Sequence, residues 1–204
     1  MIGASLAVAL SLLQAATAAV IPPASEVTYR HEIYRDADVT AYLLEIPPGH
    51  ATQMHRHDKD ILSVFFGGRT TATFEGRAPF VDVIPVGAVR YRTAGFAHAT
   101  RNDGDQVFRS VILEFNGPQG ERQPTAPAGD LFCTVRFCVE DLTLQPQTPA
   151  AGRPGRGLLI AVSDASLGSR DAVVVLKSGA VAPAAGEVTQ RGAGPARVIR
   201  VTFR

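Results

Sequence analysis

The chain has 204 residues, 46% of them hydrophobic and 19% charged, with a formal net charge of +1. A chain of this length buries roughly 70% of its unfolded surface and needs neither disulfide nor metal in order to fold, and so apolar a composition excludes wholesale disorder. The near-balanced charge leaves no basic stripe with which to displace phosphate counterions, so nucleic acid is excluded as a partner.

No charged side chain precedes Glu26, and Leu6 to Leu13 is an apolar run of secretory h-region length, followed by the small-residue site Ala16-Thr17-Ala18. Residues 1–18 therefore read as a signal peptide cleaved after Ala18, which implies a periplasmic or secreted protein. As a membrane span, Ile2 to Val20 is short and interrupted by Gly3, Ser11, Gln14 and Thr17, so no stable membrane span is expected. Farther on, long stretches of helical periodicity are missing. Short Val, Ile, Thr and Phe runs punctuated by Gly, Pro and Asn predict strands at Val27–Tyr34, Val39–Ile46, Ile61–Phe66, Thr70–Phe74, Phe80–Ile84, Val89–Arg92 and Val107–Phe115. Strands recurring about every ten residues indicate an all-β antiparallel sandwich or barrel. Asn116 to Gly129 and Gln145 to Gly157 each carry three Pro and three Gly and read as connectors. Between and after them come strands at Phe132–Val139, Leu158–Val162, Ala172–Lys177 and Arg197–Phe203.

Cys133 and Cys138 are the only cysteines. On one extended strand their Cα atoms would stand about 16 Å apart, beyond disulfide reach, so a bridge demands a turn between them. Without a second pair they make a weak metal site, which leaves two buried thiols or one local bridge.

The chemistry gathers around the histidines. In His55-Arg56-His57 the residues i and i+2 face the same side of a strand, so both imidazoles can point to one place, as a metal requires. Asp60 has the opposite parity in simple counting and joins them only through a turn or bulge at Asp58-Lys59. A third imidazole from a distant strand, His98, would close a facial set. His31 and His50 fall outside that set and read as ordinary histidines.

These spacings resemble the two signature motifs of the cupin superfamily. The first, G-x5-H-x-H-x(2–4)-E-x6-G, matches Gly49, His55, His57, Asp60 and Gly67, with Asp in place of Glu. The second, G-x5-P-x-G-x2-H-x3-N, matches Gly87, Gly95, His98 and Asn102, with Thr93 in place of Pro. The resemblance covers about Tyr29 to Phe115. It implies an antiparallel jelly-roll barrel holding one divalent transition metal, Fe, Mn, Ni, Cu or Zn, on His55, His57 and His98. Asp60 would ligate that metal, serve as the catalytic base, or orient a histidine or a metal-bound water.

A weaker echo follows. Asp171 stands eight residues before Gly179 as Asp60 does before Gly68, Gly186 matches Gly87, and Val198 to Phe203 resembles Val111 to Phe115. In that frame Ser166, Gly168 and Arg197 occupy the three histidine positions. The implied organisation is a metal-binding cupin domain at 26–116, a linker at 117–129, and a degenerate, metal-free cupin-like region at 130–204 that packs on the barrel or completes it.

For function, the resemblance implies a metal-dependent oxidoreductase of the dioxygenase type acting on a small organic substrate, with Tyr42, Met54, Tyr91, Phe96 and Arg109 as candidate pocket residues. The alternatives are a cupin isomerase or lyase, and a non-catalytic cupin that binds or senses a small ligand. The complete histidine set weighs against the latter, because an ion with open positions suits catalysis. Assembly as a homodimer is left open.

Overall fold

The structure is a computed structural model that describes residues 20–123, 129–168 and 173–204. The expected signal peptide lies outside the described residues. After a 3-10 turn at Ala24–Glu26, every regular element among the described residues is a strand. Strands β1 (Arg30–Arg35), β2 (Val39–Ile46), β3 (His55–His57), β4 (Ile61–Phe74), β5 (Phe80–Arg92), β6 (Phe96–Asn102) and β7 (Phe108–Phe115) form one seven-stranded antiparallel sheet. Its order is β1-β2-β7-β4-β6-β3, with β5 paired to β4.

Two predicted pairs of short strands are in fact single long ones. Ile61–Phe66 and Thr70–Phe74 merge into β4, and Phe80–Ile84 and Val89–Arg92 merge into β5. The punctuation at Gly67-Gly68 and Pro85-Val86-Gly87 lies close to a register shift between Val64 and Phe66. Positive φ at Gly67 and Gly87 lets both strands bend there without parting.

Alternation along these strands decides what each side of the sheet meets. Leu62 and Val64 of β4, Val111, Leu113 and Phe115 of β7, and Val39 and Ala41 of β2 pack in one core with residues of the C-terminal sheet, among them Phe137, Val139, Leu158, Ile160, Ile199 and Val201. The intervening Ile61, Ser63, Phe65, Phe108, Ser110 and Ile112 line the hollow inside the curl of the first sheet. One set of strands thus serves two faces, a dry sandwich core on one side and a cavity on the other.

The C-terminal sheet comprises β8 (Phe132–Cys133), β9 (Phe137–Leu144), β10 (Pro149–Ala161), β11 (Ala165–Gly168), β12 (Val173–Leu176), β13 (Val181–Gln190) and β14 (Ala196–Phe203), in the order β12-β11-β13-β10-β14-β9-β8. Phe132–Val139 is therefore not one strand. Thr134 Oγ1 accepts from the backbone N–H groups of Arg136 and Phe137, closing a tight turn that sets Cys133 opposite Cys138 and brings their Cα atoms to 4.0 Å, where they form a disulfide. Gln145 to Gly157 is not a free connector either, since β10 begins at Pro149 and pairs with β13. Its glycines have a packing reason: a Cβ on Gly152 would come within 2.3 Å of the Gly186 carbonyl carbon, so only glycine lets the two backbones meet.

The frame that matched Asp171 with Asp60 also needs correction. Gly157 to Ala161 of β10 lies against β14 as Ile61 to Phe65 of β4 lies against β7, so β10, not the segment ending in β12, takes the place of β4. Arg197 belongs to β14, the counterpart of β7, and so cannot stand for His98 of β6. Asp171 itself lies outside the described residues. The match of Val198 to Phe203 with Val111 to Phe115 does agree with the sheet positions of β14 and β7.

The start of the 117–129 connector is tied to the first sheet. The Gln119 backbone N–H donates to Asp60 Oδ2 at 2.6 Å, and the Tyr91 hydroxyl lies 2.9 Å from the same oxygen and 2.6 Å from the Gly120 carbonyl. Burial first, and then Asp60, pushes the Tyr91 phenol well above its ordinary value. A raised folded value means that the stabilisation is complete below about pH 10, where the unfolded phenol is still protonated, and is lost as pH climbs beyond it. Denaturant titrations of wild type and Tyr91→Phe should therefore show a steeper loss of stability above pH 10 in wild type. Parallel slopes would contradict the latch.

Candidate metal centre

Strand β3 lies beside β6, and β6 beside β4, with His55 directly opposite His98. The motif residues other than the histidines build this corner. The Gly95 N–H donates to the His57 carbonyl at 2.8 Å, the Gly49 N–H to the Asn102 carbonyl at 3.0 Å, and the Asn102 N–H to the His50 carbonyl at 2.9 Å. The buried Asn102 amide donates to the carbonyls of Ile46 and Gln106 and accepts from Gly104, pinning the end of β6.

The result is a cluster of three imidazoles. His57 Nε2 stands 3.1 Å from His55 Nε2 and 3.1 Å from His98 Nε2. His55 and His57 are buried, Phe96 stacks on His57 with ring centres 4.8 Å apart, and Phe74 stacks on His98 at 5.5 Å. Burial, the largest effect on each, holds His55 down to about 4 and His98 down to about 2, so both imidazoles are neutral at physiological pH and keep a lone pair to donate.

The surroundings fit a cation. His55 Nδ1 lies 2.9 Å from the Gln53 carbonyl, which can only accept, so the proton sits on Nδ1 and the Nε2 lone pair faces the cluster. His57 Nδ1 is buried without a hydrogen-bond partner and faces Glu114 Oε1 at 3.8 Å, a charge that favours the same tautomer. Lone pairs set against one another at 3.1 Å repel unless a positive ion lies among them. Two nitrogens at right angles about an ion, each about 2.1 Å from it, stand about 3.0 Å apart. The donor set and its spacing therefore suit a divalent transition metal.

Asp60 is not in this cluster, and the expectation that it ligates a metal or acts as the base is corrected. It shares the parity of Leu62 and Val64, so its side chain lies on the face turned to the C-terminal sheet. There Oδ2 takes the bonds from Tyr91 and Gln119, and Oδ1 accepts from the Ala94 N–H at 2.8 Å. Asp60→Asn is expected to leave metal content unchanged while lowering stability by about 1–3 kcal/mol, since hydrogen bonds to a buried charge are weakened. Loss of metal in that variant would reverse the correction.

The carboxylate that does approach the histidines is Glu114 on β7. Its Oε1 pairs with the Arg30 guanidinium at 2.8 Å, and Arg30 lies flat over the Tyr42 ring and donates to the Ala24 carbonyl. Burial pushes the Glu114 carboxyl up, but the neighbouring His57 and Arg30 outweigh it and bring the group down to about 2. Such a carboxylate fixes the ring orientation and basicity of a ligand. Its sequence signal was a lone charge in the apolar run Val111-Ile112-Leu113-Glu114-Phe115, at the parity of Ser110 and Ile112.

Beside the cluster the curl encloses about 80 Å³, walled by Leu44, Ile61, Ile84 and Ile112 with the hydroxyls of Ser63, Thr100 and Ser110. A larger outer hollow of about 640 Å³ touches none of the three histidines and shares only Phe74, Arg92 and Phe96 with this cavity. Of the candidate pocket residues, Phe96 lines the cavity. Tyr42 is covered by Arg30, Met54 is half-buried just before β3, and Tyr91 packs against Phe137 of the other sheet. Arg109 bonds Glu45 and the Ser178 carbonyl, away from the cavity. His31 is exposed, and His50 is hydrogen-bonded to Tyr29 away from the cluster.

No protein-family model matches the sequence, and no curated protein matches it. Solved structures do. The chain is similar to AerE from Microcystis aeruginosa at 9% identity, covering 86% of this chain and 97% of that one with a TM-score of 0.62. A cupin 2 conserved barrel domain protein from Leptotrichia buccalis aligns at 13% identity over 91% of this chain and 92% of its own, TM-score 0.58. An oxalate decarboxylase from Lactobacillus farciminis, in a formate complex, aligns at 13% identity over 82% of this chain and 77% of its own, TM-score 0.57. With an all-β architecture, a curled sheet, both motifs at one corner and these structural relatives, the chain has the cupin fold.

Proposed function

We propose that this chain is a metal-dependent cupin enzyme, an oxidoreductase of the dioxygenase type acting on a small organic substrate. The observation that supports it is the convergence of His55, His57 and His98 with no fourth His, Cys, Asp or Glu joining them among the described residues, beside a cavity. A structural zinc site would be closed by a fourth ligand, whereas an open set suits catalysis. Bound there, a divalent transition metal would supply Lewis acidity and, for a redox-active ion, one-electron chemistry. The chain's own part is to hold the rings and shape the space. Gln53 and Glu114 set the tautomers, Phe74 and Phe96 shield the imidazoles from water, and the apolar wall with its few hydroxyls orients the body of a small molecule.

The test is reconstitution with Fe(II), Mn(II), Ni(II), Cu(II) and Zn(II) separately, followed by elemental analysis and oxygen uptake against a panel of diols, thiols and phenolics. Metal-dependent uptake that disappears in His55→Ala supports the reading. Turnover without oxygen would replace it with an isomerase or lyase, and binding without turnover with a ligand-binding cupin.

Two further readings belong to the same proposal. Residues 130–204 are a degenerate, metal-free cupin-like repeat, a reading supported by the order β8-β9-β14-β10, which repeats β1-β2-β7-β4. The protein is exported, a reading supported by the Cys133–Cys138 disulfide, which persists in oxidising compartments. Among the described residues no helix is long and apolar enough to cross a membrane. Mass spectrometry of the mature chain should find Ala19 at its N-terminus.

A further inference from the structure

We infer that the junction between the outer hollow and the cavity beside the histidines takes a small organic anion whose carboxylate is gripped by Arg92. This deepens the proposed function by naming a substrate class, and it rests on that reading only for what the far end of the molecule meets.

The argument starts from parity on β5. Val89 and Tyr91 pack against the core shared with the C-terminal sheet, so Arg90 and Arg92 project into the curl, where both line the cavity with His57 and His98. The two arginines are treated differently. Arg90 is held in a two-pronged pair by Asp82, its Nη2 lying 3.1 Å from Oδ1. The Arg92 side chain has no carboxylate within ion-pair distance and makes no hydrogen bond among the described residues. Its guanidinium stands 4.6 Å from the centre of Phe74 and 5.8 Å from that of Phe96, the rings that stack on His98 and His57.

Stacking on aromatic faces positions a guanidinium while leaving its in-plane N–H groups free, and that planar fork matches a carboxylate with two parallel hydrogen bonds. Partial burial, then Arg90 and Arg77, hold Arg92 below its ordinary value and outweigh the opposing pull of Asp82, whereas a carboxylate paired with it would raise it. Arg92 also stands where the outer hollow meets the inner cavity. Arg77 and Arg122 line that hollow as well, so that with Arg92 three guanidinium groups face two carboxylates, Glu121 and a Glu75 already engaged by Arg56 at 2.9 Å. A molecule coming from the hollow thus meets a cationic mouth before it meets the histidines, an arrangement that draws in anions. The aromatic rings around Arg92 suit a flat apolar body behind the carboxylate.

The probes are benzoate and its neutral isostere benzamide, titrated calorimetrically into zinc-loaded and into chelator-treated, metal-free protein. In both forms wild type should bind benzoate at least about tenfold more tightly than benzamide, and Arg92→Gln should weaken benzoate by about tenfold or more while leaving benzamide unchanged, as expected for loss of a charged hydrogen bond. Arg92→Lys, which keeps the charge but not the fork, should fall between. Arg92 is exposed, so the variants should fold, and circular dichroism and zinc content serve as controls. Equal benzoate affinity in Arg92→Gln and wild type, equal affinity for the two probes, no benzoate binding, or binding that needs zinc and ignores Arg92 would each overturn the inference. The metal-free arm separates the two claims: failure to take up metal defeats the enzyme reading and leaves that arm intact, whereas loss of the carboxylate preference in zinc-loaded protein defeats only the role of Arg92.

Discussion

His98→Ala and His55→Ala should each reduce metal bound after reconstitution and dialysis from about one ion per chain to a trace. Even partners one shell away from a metal are worth 10–100-fold in affinity, so removal of one of three direct donors should cost at least about 100-fold. Burial keeps His55 and His98 neutral far below physiological pH, so protonation does not compete with the ion there. Elemental analysis and competition with a chelator read the effect directly. His50→Ala is the matched control, because His50 bonds Tyr29 away from the cluster and its loss should leave metal content unchanged. If both triad variants hold as much metal as wild type, the three nitrogens are only a packed polar cluster and the proposed chemistry falls with them.

Phe137→Ala should be the most destabilising single truncation in the core. The ring is fully buried, stacks on Phe115 with centres 4.8 Å apart, and meets Tyr91 and Phe132 edge-on at 5.5 and 6.0 Å. Truncating a buried Phe to Ala typically costs about 3–5 kcal/mol, which for a chain of this size lowers Tm by about 6–20 °C. Phe137 belongs to the C-terminal sheet and Phe115 to the one that carries the histidines, so the loss should appear in a single cooperative transition. Metal affinity of the folded fraction should not change, because this core lies on the side of the sheet away from the histidines. Two separate transitions, with only one shifted, would show that the sheets do not share a core.

The fold class was readable from the Val, Ile, Thr and Phe runs, and β2 was delimited to the residue, because its eight residues contain no Gly, Pro or Asn and Asp38 and Pro47 close it off. Gly67-Gly68 and Pro85-Val86-Gly87 misled for a physical reason: the same residues that end strands also bend them, and only pairing across β4 and β5 distinguishes the two. The histidine cluster was legible because two of its members share one short strand and the third sits in a separate motif. Glu114 and Arg92 were not, since one charge in an apolar run does not reveal which side of a sheet it occupies. Asp60 failed by the same token. Its spacing matched a ligand, but its parity placed it with Leu62 and Val64, a fact that becomes usable only once β4 is known to begin beside it.

The alternation on β4, β5 and β7 also says how this protein could be changed. Ser63, Arg90, Ser110 and Ile112 touch the cavity, and their immediate neighbours Leu62, Val64, Val89, Val111 and Leu113 touch the shared core. A library that varies only the first group would alter what the cavity accepts while leaving the shared core intact. Deleting one residue from the middle of β7 would do the reverse, exchanging the two groups beyond the deletion and spoiling both faces at once. Selection acting on this chain can therefore explore new ligands one substitution at a time, while insertions and deletions in these three strands are closed to it.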